Sequence, residues 1–240
     1  MSSSELEKLN TISKRSIYSS GVMGTAIQYC FSILQRHMIG NSILELGPAE
    51  GVMTELLSQT KGRLTVVEGS AVFCKDLEKR YPKIKVVNSL FEQFDPKETY
   101  DFIVMGHVLE HVENPVEILR IAKSWLRPNG RIFAAVPNAR SLHRQAAVTM
   151  GLLPQEDALN EKDHRHGHRI VFSPETFRAA FLQAGLSIDV FGGYWLKPVS
   201  NDQIESSWTT EMINSFMQLG ERYPDIAGEL YIVASVQSNK

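Results

Sequence analysis

The run Ile43-Leu44-Glu45-Leu46-Gly47-Pro48-Ala49-Glu50-Gly51, followed by Val66-Val67-Glu68, constrains the fold of this chain more than any other feature. Ile43, Leu44 and Leu46 form an apolar run suited to a central parallel strand. Gly47 then permits a tight turn that a residue with a Cβ would strain to make. Val52, Met53, Leu56 and Leu57 lie on one helical face after the turn, so the segment can fold back onto a sheet as a βα unit. The same alternation continues, with strands expected near 42–46, 64–67, 84–87, 101–105 and 131–136 and helices near 51–59, 70–80 and 115–125. Such a pattern implies a doubly wound, mainly parallel sheet, because each crossover returns right-handed over one face. Residues 186–193 and 229–236 complete seven strands as an antiparallel terminal pair, and 22–38 reads as a helix leading into the first strand.

The first turn also limits the ligand. Glu68 lies 21 residues after Gly47, at the tip of the second strand, where a carboxylate can accept from both hydroxyls of a ribose. A pyrophosphate would want G-x-G-x-x-G and free backbone amides. Here Pro48 has no N–H, and Glu45 and Glu50 bring negative charge. The turn therefore suits an adenosine carrying a cationic group better than a dinucleotide.

Four segments, ILELGPAEG, VVEGS, YDFIVMGHVLEHVENP and LRPNGRIFAAVPN, stand in an order and spacing that resemble motifs I, II, IV and V of the class I S-adenosylmethionine-dependent methyltransferases. The resemblance is strong over residues 40 to 137 and departs at Ala49, where the family usually has a second glycine. It implies a Rossmann-like sheet and S-adenosylmethionine as cofactor. It also implies cofactor contacts from Glu45, Gly47, Gly51, Glu68, Gly69, Ser89, Leu90, Gly106 and His107. Asn88 is an alternative to Ser89 for the adenine amine, and Phe91 is either a neighbour of the adenine or core.

Composition sets bounds. With 240 residues, 43% of them hydrophobic, the chain can bury one large core, so residues 1–240 read as a single domain with a helical lead-in over 1–40. A net charge of −2 gives no basic field for nucleic acid. Cys30 and Cys74, both in helical patterns, suit reduced thiols and a cytoplasmic setting. The polar first ten residues, expected to be mobile, lack the apolar core of a signal peptide, and no membrane partner is expected. Oligomeric state is not legible.

Between 137 and 172 the alternation stops, and this stretch reads as a cover inserted after the fifth strand. Leu142, Ala146, Ala147 and Met150 have helical spacing within it. His107, His164 and His168 are candidate catalytic bases, and His143, Arg144, His166 and Arg169 are candidate acceptor contacts. The H-x-H pairs lack cysteine partners and have Asp163 as their one near carboxylate, so no metal is expected. SLHR, DHRHGHR and GGYWLKP look like a bacterial subgroup placed near surface-glycan or natural-product pathways.

These features support methyl transfer to a small-molecule, glycan or peptide acceptor, on a hydroxyl with histidine as base or on a carboxylate oriented by Arg144 or Arg169. A nitrogen acceptor is the alternative, weakened because the Asn/Asp-Pro-Pro-aromatic signature is missing after the fourth strand. Two other classes stay open: a binding subunit without turnover, which cofactor titration would reveal, and a nicotinamide-dependent reductase, disfavoured by the turn.

Overall fold

The computed structural model describes residues 21–236. The expected polar lead of the first ten residues lies outside them. Helix α1 (Gly21–Gln35) precedes β1 (Ser42–Leu46), α2 (Val52–Ser58), β2 (Arg63–Glu68), α3 (Ala71–Arg80), β3 (Lys85–Asn88), β4 (Tyr100–Gly106), α4 (Pro115–Ser124) and β5 (Leu126–Pro137). After β5 come α5 (Leu142–Thr149), α6 (Glu161–His166), α7 (Pro174–Gln183), β6 (Leu186–Tyr194), α8 (Asn201–Ser207), α9 (Thr210–Gly220) and β7 (Glu229–Val236).

The seven strands form one sheet in the order β3-β2-β1-β4-β5-β7-β6. β1 through β5 pair in parallel, and β7 runs antiparallel to both β5 and β6. Central strands alternate side chains between two buried faces. Leu44, Leu46, Ile103 and Met105 pack with Ile118, Leu119, Phe177 and Phe181 of α4 and α7. Ile43, Val66, Phe102 and Val104 pack with α1, α2, α8 and α9 through Cys30, Leu57, Ile204 and Met217. Cys30 and Cys74 are both buried free thiols.

Local signals explain the ends of elements. Asn114 accepts from the Glu117 amide ahead of Pro115, and Ser173 forms a capping box with Thr176 ahead of Pro174. Helices α8 and α9 have no counterpart among the expected elements. Their caps, Ser200 and Thr209, are read easily once seen.

The segment after β5 is an ordered excursion that returns to its origin: Asn138 bridges Phe172, and the Ala139 amide donates to the Phe172 carbonyl. Its helix α5 corrects one sequence expectation. The face presumed apolar is not buried, since Ala146 and Met150 are exposed, and the residue that α5 buries is Arg144. Two backbone bonds tie the excursion to the carboxyl ends of strands: Arg169 N–H to the Glu110 carbonyl after β4, and His143 N–H to the Lys197 carbonyl after β6. No described helix is long and apolar enough to cross a membrane.

Candidate active site

The first βα turn is built by backbone. Gly47 adopts φ +61°, and its amide donates to the Val67 carbonyl, fastening the turn to β2. A Cβ placed there would meet Val108 Cγ2 at 3.0 Å and Phe91 Cζ at 3.4 Å. The turn thus opens onto residues that follow β3 and β4, where ligands of such sheets bind. Ala49 also adopts a positive φ, +48°, so the position where the resemblance expects glycine keeps glycine's conformation with a Cβ present. Gly51 has φ +79° and serves helix packing on its Cα side. The atoms crowding its missing Cβ are Leu77 Cδ2 at 2.5 Å and Arg80 Nη2 at 3.0 Å, so it lets α3 approach.

Glu68 is buried at the end of β2. Its carboxylate accepts from the amides of Ala49 at 3.2 Å and Ser70 at 2.7 Å, which aims it across the turn. Burial pushes its carboxyl up, and the amides of Ser70, Ala49 and Gly69 pull it back. Glu45 points into the protein: its Oε2 accepts from Thr54 of α2 at 2.7 Å, and burial raises it to about 8. It clamps β1 to α2. Asn88 donates to the Glu68 and Gly69 carbonyls, so its amide builds the β2–β3 edge. The Ser89 hydroxyl donates to the Leu90 carbonyl. Gly106 ends β4, with open space at its missing Cβ out to Met53 Cε at 3.9 Å.

The second part of the site gathers side chains from distant segments. His107 follows β4 with φ +58°, held by its amide bond to the Ala135 carbonyl. Its Nδ1 lies 3.2 Å from Glu110 Oε1, and its Nε2 lies 3.5 Å from the Tyr194 hydroxyl and 3.9 Å from Glu229 Oε2. The register explains the meeting, because Glu229 pairs across β7 with both Pro137 and Tyr194. Burial works against charging His107, yet the carboxylates of Glu229 and Glu110 outweigh it and lift the imidazole to about 9. Glu110 is correspondingly lowered, by the His107 hydrogen bond against burial. Burial raises Glu229 despite His107 and Lys197. Tyr194, Glu229 and Lys197 were not among the sequence candidates. Their nearest signals were GGYWLKP and the glutamate opening the last strand.

The cover histidines divide. His168 Nδ1 lies 3.0 Å from Asp163 Oδ1, its ring stands edge-on to His111 at 4.8 Å, and His166 lies 5.9 Å from it. His164 is exposed on α6. His143 is largely buried, with Nδ1 unpartnered, and burial lowers it to about 3, so it is neutral at pH 7. Arg144 corrects its assignment as an acceptor contact. It is 6% exposed, and its guanidinium donates to the carbonyls of Glu156 and Ala158 and to Asp163 at 3.3 Å, which leaves it bracing the cover from inside. Arg169 stays partly exposed beside the Glu110 carbonyl. Glu110, His111 and His168 bring ligand-type atoms within 4.8 Å of one another.

A family described as a methyltransferase domain matches residues 18–189. The chain belongs to that family. Among curated relatives it is 26% identical over 128 residues to a mitochondrial ubiquinone biosynthesis O-methyltransferase from Schizosaccharomyces pombe, covering 50% of this chain and 44% of that one. It is 24% identical over 165 residues to a ubiquinone biosynthesis O-methyltransferase from Hydrogenovibrio crunogenus, covering 66% of this chain and 67% of the other. The chain thus spans less than half the length of the first of these relatives. In fold it is similar to the N-methyltransferase NodS from Bradyrhizobium japonicum in complex with S-adenosylhomocysteine, with TM-score 0.61, 16% identity and 98% of each chain covered. An S-adenosylmethionine-dependent methyltransferase from Mesorhizobium loti superposes with TM-score 0.64 at 14% identity, over 86% of this chain and 97% of that one.

S-adenosylmethionine is the cofactor that the motif resemblance implies, and the first turn is where it would sit. Gly47 lets the turn backbone approach Val108 and Phe91 closely, and the Glu68 carboxylate is held by the Ala49 amide of the same turn, so a carboxylate able to accept from ribose hydroxyls stands beside it.

Proposed function

We propose that the enzyme is an O-methyltransferase that places a hydroxyl of a small or flexible acceptor against His107. The observation that carries this reading is the buried His107–Glu110 pair with Glu229 and Tyr194 at its other nitrogen, one residue before Val108, which touches the space over Gly47. S-adenosylmethionine supplies an electrophilic methyl on a sulfonium. The chain supplies alignment and a place for the hydroxyl proton. Glu110 fixes the ring through Nδ1, so Nε2 faces the acceptor. The O-methyltransferase names of the curated relatives support oxygen as the methylated atom, loosely at this identity.

A nitrogen acceptor is the second reading, favoured by one observation. Beyond the Oε1 that pairs with His107, Glu110 Oε2 and Glu229 Oε2 are buried without a hydrogen-bond partner, and such carboxylates would hold an ammonium. We assign Glu110, His111 and His168 to charge balance around the buried carboxylate, with no metal, and a chelator that leaves turnover unchanged supports that assignment. The cover over 137–172 closes this end of the single domain, with Arg169, His143 and His166 lining the acceptor side. His164 and His168 are the alternative bases.

The test uses methyl-deuterated S-adenosylmethionine and a panel of phenols, alcohols, carboxylic acids and amines, with the labelled atom located by mass spectrometry. Label on a hydroxyl oxygen is the expected result. Label confined to nitrogen would reverse the order of the two readings.

A further inference from the structure

We propose that the corner following β6 is an anion-recognition site for the acceptor, in which the Lys197 ammonium, seated on the Trp195 ring, pairs with a carboxylate of a hydroxy acid whose hydroxyl reaches His107. This rests on the O-methylation reading and adds the class of acceptor.

The corner is built at a conformational cost. Trp195 is fully buried and adopts φ +64°, a backbone region that a bulky side chain rarely enters. It is held there by its amide bond to the Met217 carbonyl at 2.9 Å and by the Gly228 amide donating to its carbonyl. Gly220 makes the packing possible, since a Cβ there would sit 2.2 Å from the Trp195 nitrogen. Lys197 Nζ stands 4.6 Å from the centre of the Trp195 ring. The ammonium makes neither a hydrogen bond nor an ion pair among the described residues. Cation–π contact partly offsets its desolvation but leaves three N–H donors with no acceptor.

Two neighbouring nitrogens also lack partners. Trp195 Nε1 and His143 Nδ1 are buried without partners, and His143 is joined to Lys197 by its amide bond to the Lys197 carbonyl. Buried polar atoms are normally satisfied, so two unsatisfied ones, on the residues that contact Lys197, mark a place where a polar ligand group belongs. The ligand group must accept, since an ammonium and an indole N–H can only donate, and the neutral His143 Nδ1 can take the tautomer that suits it. A single negative charge fits better than a phosphate dianion, because Glu229 and Glu110 already place carboxylates on the hydroxyl side. Burial lowers Lys197 to about 8, with Glu229 opposing, so it is charged at neutral pH and loses its charge just above it.

The corner also stands in for Arg144, one of the two arginines that sequence alone offered for this purpose. Arg144 is spent on Glu156, Ala158 and Asp163. Lys197 reaches the same end of the sheet from the opposite side, three residues after Tyr194, whose hydroxyl faces His107.

The experiment is calorimetry on the full chain loaded with S-adenosylhomocysteine, for the wild type, Lys197→Met and Lys197→Arg. The probes are 3-hydroxybenzoate, 4-hydroxybenzoate and 4-hydroxyphenylacetate, each paired with its methyl ester. At pH 7 at least one acid should bind about tenfold or more tighter than its ester. Lys197→Met should erase that preference, Lys197→Arg should keep most of it, and all three should bind S-adenosylhomocysteine equally. Equal binding of every acid and ester, or no binding of any acid, overturns the inference. So does a loss of S-adenosylhomocysteine affinity in Lys197→Met, which would place the cofactor's own carboxylate on Lys197. Adding methyl-deuterated cofactor separates this inference from the reading beneath it: an acid that binds through Lys197 but is never labelled on its hydroxyl defeats O-methylation and leaves anion recognition standing.

Discussion

The two halves of the active site are made by different means. The cofactor half, at the ends of β1, β2 and β3, is mostly backbone: a left-handed turn at Gly47 and Ala49, amides of Ala49 and Ser70, and one carboxylate from Glu68. The acceptor half proposed above, at the ends of β4, β5 and β6 and the start of β7, is side chains: His107, Glu110, Tyr194, Lys197 and Glu229. Backbone recognition needs a few residues close in sequence and suits a ligand that does not change. Convergent side chains can be exchanged one at a time, which suits a half-site that sets the choice of acceptor.

The largest expected effect breaks this comparison at His107. His107→Ala should lower turnover by about 10²–10⁴-fold while leaving the dissociation constant of S-adenosylmethionine nearly unchanged. If cofactor affinity falls in step with turnover, the halves are not separate. The pH profile sharpens the same point. His107 must be neutral to take a proton, so kcat/KM should rise with pH towards the imidazole value of about 9. Glu110→Gln and Glu229→Gln should each move that limb to lower pH, because each removes a negative charge that favours the imidazolium.

Arg144→Ala comes next. Removing Arg144 takes one partner from Asp163, which keeps His168 and the Asn160 amide, and leaves the Glu156 and Ala158 carbonyls without their donor, so a loss of about 3 kcal/mol is expected, shown as a lower melting temperature and early proteolysis between α5 and α6. Unchanged stability with a raised KM would return Arg144 to the acceptor.

On the cofactor side, Glu68→Ala should weaken S-adenosylmethionine binding by about 1–3 kcal/mol in calorimetry, through two ribose hydroxyls left without a charged acceptor. Gly47→Val should lose binding more than stability, since its side chain would enter the space before Val108 and Phe91. A folded variant of either kind with wild-type affinity would remove the first turn from the site. The smallest effect is Ala49→Gly, expected to change stability by no more than about 1 kcal/mol, because relief of the positive φ is partly cancelled by a freer unfolded chain. A loss beyond that would show that the Ala49 methyl packs.

The cofactor half was legible because its signals are local. The βα alternation, Gly47, the spacing to Glu68 and the caps at Asn114 and Ser173 all act within one element or turn, and each appears where the residues imply. Gly51 shows the limit of that reading. Two glycines framing a turn look equivalent in sequence, yet one opens towards β4 and the other admits Leu77 of α3. Helix α8 escaped because seven residues with Ile204 alone buried carry a weak periodic signal, whereas α9, eleven residues long and amphipathic, was readable from its spacing and its Thr209 cap.

By itself the sequence determined the parallel sheet, its reversed last strand pair, the glycine turn after the first strand and the break in βα alternation after the fifth, since these follow from periodicity, backbone freedom and spacing. Only the tertiary structure decided what each polar side chain does. Arg144 and Lys197 are both cations near the acceptor side, and nothing local distinguishes them. Folding buries Arg144 against two carbonyls and Asp163 and leaves the Lys197 ammonium with only an aromatic face. Likewise, His107 becomes a strong base because strand register brings Glu229, 122 positions away, to the same end of the sheet as Glu110. Charge, burial and partners are properties of neighbours in space, and long-range pairing chooses those neighbours.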